Sequence, residues 1–206
     1  MKTNSQFWDK IAPKYAKKPV PDEEVYRLKL KLTREYFKPG SRVFEYGCGT
    51  GTTAIHHAPY VEHVDATDVS EEMLRIGRDK AERANINNVT FAHWDVSRDP
   101  VPDQRFDAVM GHSILHLVED VPAVLEKTRD LLTDGGIFVS STICIADKKA
   151  FLKPVVALMQ LLGKAPFVQF LTTGQLETQI QDAGFQIVHH WHPKGSDAVF
   201  LIAQKI

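Results

Sequence analysis

The chain has 206 residues, 43% of them hydrophobic, with a formal net charge of −1. It is long enough to bury one full core, and the even charge balance gives no electrostatic reason to expect nucleic acid as a partner. No run suits stable membrane insertion or a signal peptide, and Cys48 and Cys144 form no metal or disulfide pattern, so a cytoplasmic protein without a metal is expected.

The first forty residues read as two helices. Trp8, Ile11, Ala12 and Tyr15 repeat at helical spacing, as do Val25, Leu28, Leu32 and Tyr36. The basic stretch from Arg27 to Arg34 alternates with leucines and reads as the wet side of the second helix. "KKPVPDEE" between the helices is a loop, and Pro39-Gly40 ends the second.

Strands then alternate with helices. Arg42 to Tyr46 is the first strand, followed by a glycine loop, and Val61 to Asp68 is the second. Ser70 caps a helix with Glu71 and Glu72 in its first turn, predicted to bury Met73, Ile76, Gly77, Ala81 and Ala84. "NVTFAHWD" is a third strand, ending at Asp95, and "RFDAVMGHS" a fourth. Asp120 opens a helix with Val121, Val124, Leu125, Thr128 and Leu132 on one face, which Gly135-Gly136 stops before a fifth strand, "IFVSSTICI". An apolar stretch from Phe151 to Leu171 is broken at Pro154, Gly163 and Pro166. Thr172 and Gln175 have capping-box spacing for a helix ending at Gly184, and "FQIVHHW" and "AVFLIAQ" close the chain as an antiparallel pair. This order predicts a doubly wound α/β fold: a mostly parallel seven-stranded sheet with an antiparallel last strand and helices on both faces.

In such a sheet, ligands sit beyond the carboxyl ends of the strands, where "VFEYGCGTG" places Gly47, Gly49 and Gly51. The dinucleotide fingerprint G-x-G-x-x-G would put its third glycine where Thr52 stands. Glu45, two residues before the first glycine, would repel a pyrophosphate and attract a cationic amine. Asp68 ends the second strand where an acid grips ribose hydroxyls, and Asp95 could accept from an adenine amino group. The pattern favours a nucleoside joined to an amino acid over NAD.

On these residues the chain resembles the class I S-adenosylmethionine-dependent methyltransferases, in the small-molecule branch. "VFEYGCGTG" resembles the family's first motif, "DATDVSEEML" its ribose acid and following helix, and "FAHWDVS" its adenine segment. "FDAVMGHSILHLVED" and "LLTDGGIFVSST" resemble its fourth and fifth strands, and "FWDKIAPKY" its N-terminal lid. The resemblance implies S-adenosylmethionine as cofactor and S-adenosylhomocysteine as product. Gly47, Cys48, Gly49 and Gly51 would line the methionine, Asp68 the ribose, Val69 and Met73 the adenine. Asp95 and Val96 would hold the adenine edge, and Gly111 to Ser113 would lie beneath the methionine. Residues 1–39 would form a helical lid, 40–145 the cofactor-binding core, 146–171 a substrate-covering insertion, and 172–206 a closing helix and strand pair; the apolar 151–171 part reads equally as a pocket lid, a dimer face or a packing helix.

His112, after the fourth strand, is the better candidate for a base, and His116 reads equally well as packing. Tyr15 is the candidate to offer its ring face to a sulfonium. His190 and His192 would share a strand face, but no further ligand completes a metal set. The family's Asp-Pro-Pro-Tyr-type signature for exocyclic amines is absent, since strand four ends "DAVMGHSI". A small, partly apolar organic acceptor, methylated by in-line displacement in a monomer or homodimer, is therefore expected. Quinone-biosynthesis methyltransferases have the nearest general pattern, but their Asn- and Ser-containing continuation after the aromatic motif is missing. A non-catalytic S-adenosylmethionine-binding protein is the alternative, and a nicotinamide oxidoreductase is disfavoured by the loop spacing and Glu45.

Overall fold

The computed structural model describes residues 4–162 and 165–206, so the expected break at Gly163 lies outside the described residues. Its strands are β1 (Arg42–Tyr46), β2 (His63–Asp68), β3 (Val89–His93), β4 (Phe106–His112), β5 (Leu132–Ile143), β6 (Phe185–Trp191) and β7 (Ala198–Lys205). They form one sheet in the order β3-β2-β1-β4-β5-β7-β6, parallel except where β7 runs antiparallel to both β5 and β6. The strand order turns back on itself between β1 and β4, which is where a crevice opens at the carboxyl ends of such a sheet.

Helices α2 (Glu23–Arg34), α3 (Thr52–His57) and α4 (Glu71–Arg83) cover one face, with α1 (Asn4–Tyr15) lying on α4. Val43, Leu74, Phe91, Met110, Val139 and Phe200 form the core there. On the other face, α5 (Val121–Leu131) and α8 (Thr173–Asp182) pack over Tyr46, Val109, Phe138, Phe185 and Leu201. Capping follows the sequence closely. Ser70 Oγ accepts from Met73 N–H and Asp120 Oδ1 from Ala123 N–H, and Thr172 and Gln175 complete a capping box. Between β5 and α8 stand the short α6 (Ala146–Lys149) and α7 (Lys153–Leu161).

Several sequence expectations are corrected. The inward face of α2 carries Leu30 and Thr33, with Tyr26 and Lys29 half-buried, while Leu28 and Tyr36 of the predicted stripe are exposed. Lys29 thus belongs to the packed side rather than the wet one. In α4 Leu74 is buried and Ala84 exposed, because the helix ends at Arg83 and Ala84 is its cap. Leu132 is extended (φ −89°, ψ 144°) and begins β5, so α5 ends at Leu131 and Gly135-Gly136 lies inside a register shift of the strand. Pro154 opens α7 instead of breaking a helix, since its missing N–H is harmless in a first turn. Strand β3 stops at His93, which leaves Asp95 in the turn beyond it.

Candidate active site

Everything singled out in the glycine loop gathers at the crevice between β1 and β4. Gly47, Gly49 and Gly51 all have left-handed backbone (φ +64°, +54° and +69°), which side chains with a Cβ adopt at a cost. The loop curls tightly enough for Cys48 N–H to donate to the Thr67 carbonyl at 2.9 Å. A Cβ on Gly51 would fall 2.4 Å from the Phe91 ring, so packing and backbone both demand glycine there. The ring of Tyr15, at the end of α1, lies 3.9 Å from the corresponding point on Gly49. Gly111 is also a packing glycine: a Cβ would meet the Tyr46 ring at 2.7 Å, and that ring is held by a 3.1 Å hydrogen bond between its hydroxyl and Thr128 Oγ1.

Three carboxylates stand in series along this crevice. Glu45 is 2% exposed, and its Oε2 has no hydrogen-bond partner among the described residues. Burial, then the nearby charge of Asp68, pushes its carboxyl up to about 8, against the opposing pull of the Ala54 N–H. Asp68 Oδ2 accepts from Gly49 N–H at 2.8 Å and Oδ1 from Ser70 N–H at 2.9 Å. Its carboxyl is nevertheless raised, chiefly by burial, with Asp9 adding to the effect. Asp9, from α1, accepts from Ser70 Oγ at 2.6 Å and from Glu72 N–H at 3.2 Å, which clasps α1 to the start of α4. Burial and the same acids raise the Cys48 thiol and the Tyr15 phenol, so both stay protonated near neutrality.

Beyond Asp68 the crevice widens into a cleft of about 600 Å³. Val69, Asp95, Val96, Ile114 and Val118 line it, and Ser5 and Trp8 of α1 roof it. Met73 is buried in the first turn of α4. Asp95 is partly committed: its Oδ1 accepts from Ser97 N–H at 2.9 Å, while Arg98 lies 3.7 Å from Oδ2. Lys127 Nζ ties the same turn down through the carbonyls of Val96 and Asp99, at 3.0 and 2.7 Å.

His112 ends β4, and Ser113 after it has left-handed backbone at φ +56°. For a residue other than glycine such a backbone costs roughly 1–2 kcal/mol. Burial, then the charge of Lys29, holds the His112 imidazole down to about 4, so it is neutral near pH 7. His116 is buried, and its carbonyl accepts from Gln169 N–H at 2.7 Å, tying the 165–171 segment to this loop. His190 and His192 go separate ways, to Glu177 at 3.2 Å and the Ser196 carbonyl at 3.0 Å. Sequence reasoning missed Asp9 and Lys29. The signal for Lys29 was present as the i, i+3, i+4 stripe Tyr26, Lys29, Leu30 and Thr33, but the basic stretch from Arg27 to Arg34 reads as the wet side.

Comparison with known proteins matches residues 43–136 to a methyltransferase domain family. The demethylmenaquinone methyltransferase of Listeria welshimeri is 31% identical over 139 residues, covering 64% of this chain and 58% of that protein, so the match spans little more than half the relative's length. The ubiquinone biosynthesis O-methyltransferase of Dinoroseobacter shibae is 26% identical over 197 residues, 89% of this chain and 79% of that protein. The solved structure of YcgJ from Bacillus subtilis superposes with a TM-score of 0.72 over 87% of this chain and 98% of that one, at 17% identity, a likeness of fold.

Proposed function

We propose that this chain, which carries a methyltransferase domain of the class I S-adenosylmethionine-dependent type, transfers a methyl group to a small organic acceptor. The observation that carries this reading is the buried acid pair Glu45–Asp68, continued by the half-buried Asp9, in which one oxygen of Glu45 has no partner among the described residues. Buried carboxylates held above their usual range favour a cationic ligand, and S-adenosylmethionine carries both an ammonium and a sulfonium. The glycine loop leaves its backbone bare for the methionine end, Asp68 has lone pairs left for ribose hydroxyls, and Val69, Met73, Asp95 and Val96 would hold the adenine in the cleft.

When bound, S-adenosylmethionine would supply a methyl group already activated on sulfur, suited to in-line transfer to an acceptor nucleophile. The protein's part is then alignment and exclusion of water, and orientation of this kind is worth roughly 7–11 kcal/mol. Tyr15 stays neutral beside Glu45 and Asp68 and would offer its ring to the sulfonium. Helix α1 closes the roof through Asp9, as the lid of a 1–39 segment over the 40–145 core. His112, neutral and at the end of β4, would face the acceptor. Residues 146–171 would border the acceptor entrance, attached through the Gln169–His116 bond.

Calorimetric titration with S-adenosylmethionine, S-adenosylhomocysteine and NAD tests the reading. Both sulfur nucleosides should bind and NAD should not; binding of NAD alone would overturn it. Methyl transfer to a panel of phenols, carboxylic acids, amines and thiols then reports the acceptor class.

A further inference from the structure

The carboxyl end of the sheet carries a second polar group, opposite in character to the acid series. Side chains alternate along a strand. Because a Cβ on Gly111 would point at Tyr46, on the α5 side, His112 lies on the α2 side. Ser141 is the register partner of His112 across β4–β5, and of Phe200 across β5–β7. Onto this row α2 lowers Lys29, whose Nζ donates to Ser141 Oγ at 2.8 Å and lies 5.9 Å from the centre of the Phe200 ring.

The lysine is half-buried, and among the described residues no carboxylate lies within ion-pair distance of it. An ammonium taken partly out of water without a counter-charge is costly. Burial lowers its pKa, and Asp22 at the helix N-terminus opposes that only as a lesser influence. One of its three N–H groups is used by Ser141, leaving two. The Ser141 hydroxyl accepts that bond and keeps its own proton to donate. The His112 ring, neutral near pH 7, contributes one more N–H. The lysine and serine donors thus meet beside the His112 strand position, with no carboxylate within ion-pair distance of the lysine among the described residues.

We propose that Lys29, Ser141 and His112 form an oxyanion-holding subsite for the acceptor, which selects a molecule bound through an acidic oxygen as its anion: a phenol, an enol or a carboxylic acid. This rests on the methyltransferase reading above and deepens it. The crevice then has two halves, a carboxylate half for a cationic cofactor and a donor half for an anionic acceptor. Lys29 supplies the charge that favours the ionised acceptor, and Ser141 and His112 fix where its oxygen sits.

The test is binding of 4-nitrophenol to the protein saturated with S-adenosylhomocysteine, followed by the visible absorbance of the phenolate. At one pH unit below the phenol's own pKa, about a tenth of the free compound is ionised. An opposite charge within about 4–6 Å lowers an acid's pKa by about 1–3 units, so about half or more of the bound phenol should be anionic. The methyl ether 4-nitroanisole should not compete. Lys29→Met should lose the absorbance rise while binding S-adenosylhomocysteine as before, and Lys29→Arg should keep the rise. Absence of binding, binding without an ionisation shift, or an equal shift in Lys29→Met would overturn the subsite. A tenfold loss of S-adenosylhomocysteine affinity in Lys29→Met would place the ammonium on the cofactor's carboxylate and overturn it as well. Failure of the unmodified protein to bind S-adenosylhomocysteine would instead overturn the parent reading, and this one with it.

Discussion

Glu45 shows how one residue can be unfavourable for the fold and useful for a ligand. Its carboxyl is raised from 4.5 to about 8, with burial the largest cause, so between those pH values the folded protein keeps a proton that the unfolded chain has lost. Unfolding releases that proton, and stability falls as pH rises through the window, at up to about 1.4 kcal/mol per unit from this group. Above about pH 8 the loss is complete. His112, lowered from 6.5 to about 4, has the opposite sign, adding stability as pH rises across its own window. A difference profile separates the two. Thermal unfolding of Glu45→Gln minus the unmodified protein should show a relative gain that grows from pH 5 to pH 8; a flat difference would mean that the carboxyl is not desolvated as its burial implies. The acid at this position was legible in the sequence as a departure from a pyrophosphate loop. Its isolation was not, because only the packing of β1 under α3 reveals that one oxygen lacks a partner.

At the scale of elements, α1 is held by a polar clasp as well as by packing. Asp9 bonds to Ser70 Oγ and Glu72 N–H, so an acid from one helix caps the N-terminus of another. Asp9→Ala should leave α4 capped by Ser70 and cost overall stability only about 0.5–2 kcal/mol, as lost caps do. Amide hydrogen exchange should quicken across residues 4–15 and stay unchanged in residues 74–83. Equal quickening in both would show that the clasp holds α4 rather than α1. Helix α1 and its aromatic stripe were readable from spacing, but Asp9 lies off that stripe and shows no partner in sequence. The same limit applies to α2. Alternating lysines and leucines look amphipathic in one register, yet the packed face sets Tyr26 against Thr53 and His56 of α3 and lays the Lys29 ammonium over the Phe200 ring, where it reaches Ser141. At the ends of strands, Asp95 read as a terminal strand residue, but the turn at 96–98 folds back onto its carboxylate and shortens β3.

For the whole molecule, the strand–helix alternation, the seven strands and the antiparallel final pair followed from hydrophobic periodicity and turn residues, since these signals are local and agree with one another. The register of β5 did not, because Leu132 pairs with Phe106 and the strand then shifts around Gly135 before pairing Ile137 with Ala108, a choice made by the neighbouring strand. The 151–171 segment was legible as apolar, and its helix α7 leaves Val155, Leu158 and Leu161 exposed on the described surface. Along the crevice the molecule sets carboxylates from α1, β1 and β2 at one side and donors from α2, β4 and β5 at the other. Asp68 is the pivot of the carboxylate side, touching the glycine loop through Gly49 and linked to α1 through Ser70 and Asp9. The most direct measurement is the dissociation constant of S-adenosylmethionine for the unmodified protein and for Asp68→Ala, by calorimetry, with circular dichroism to show that the variant is folded. Loss of a buried acceptor for two hydroxyls should weaken binding by about 2–3 kcal/mol, a factor of roughly 30 to 150. An unchanged constant in a folded variant would contradict the account.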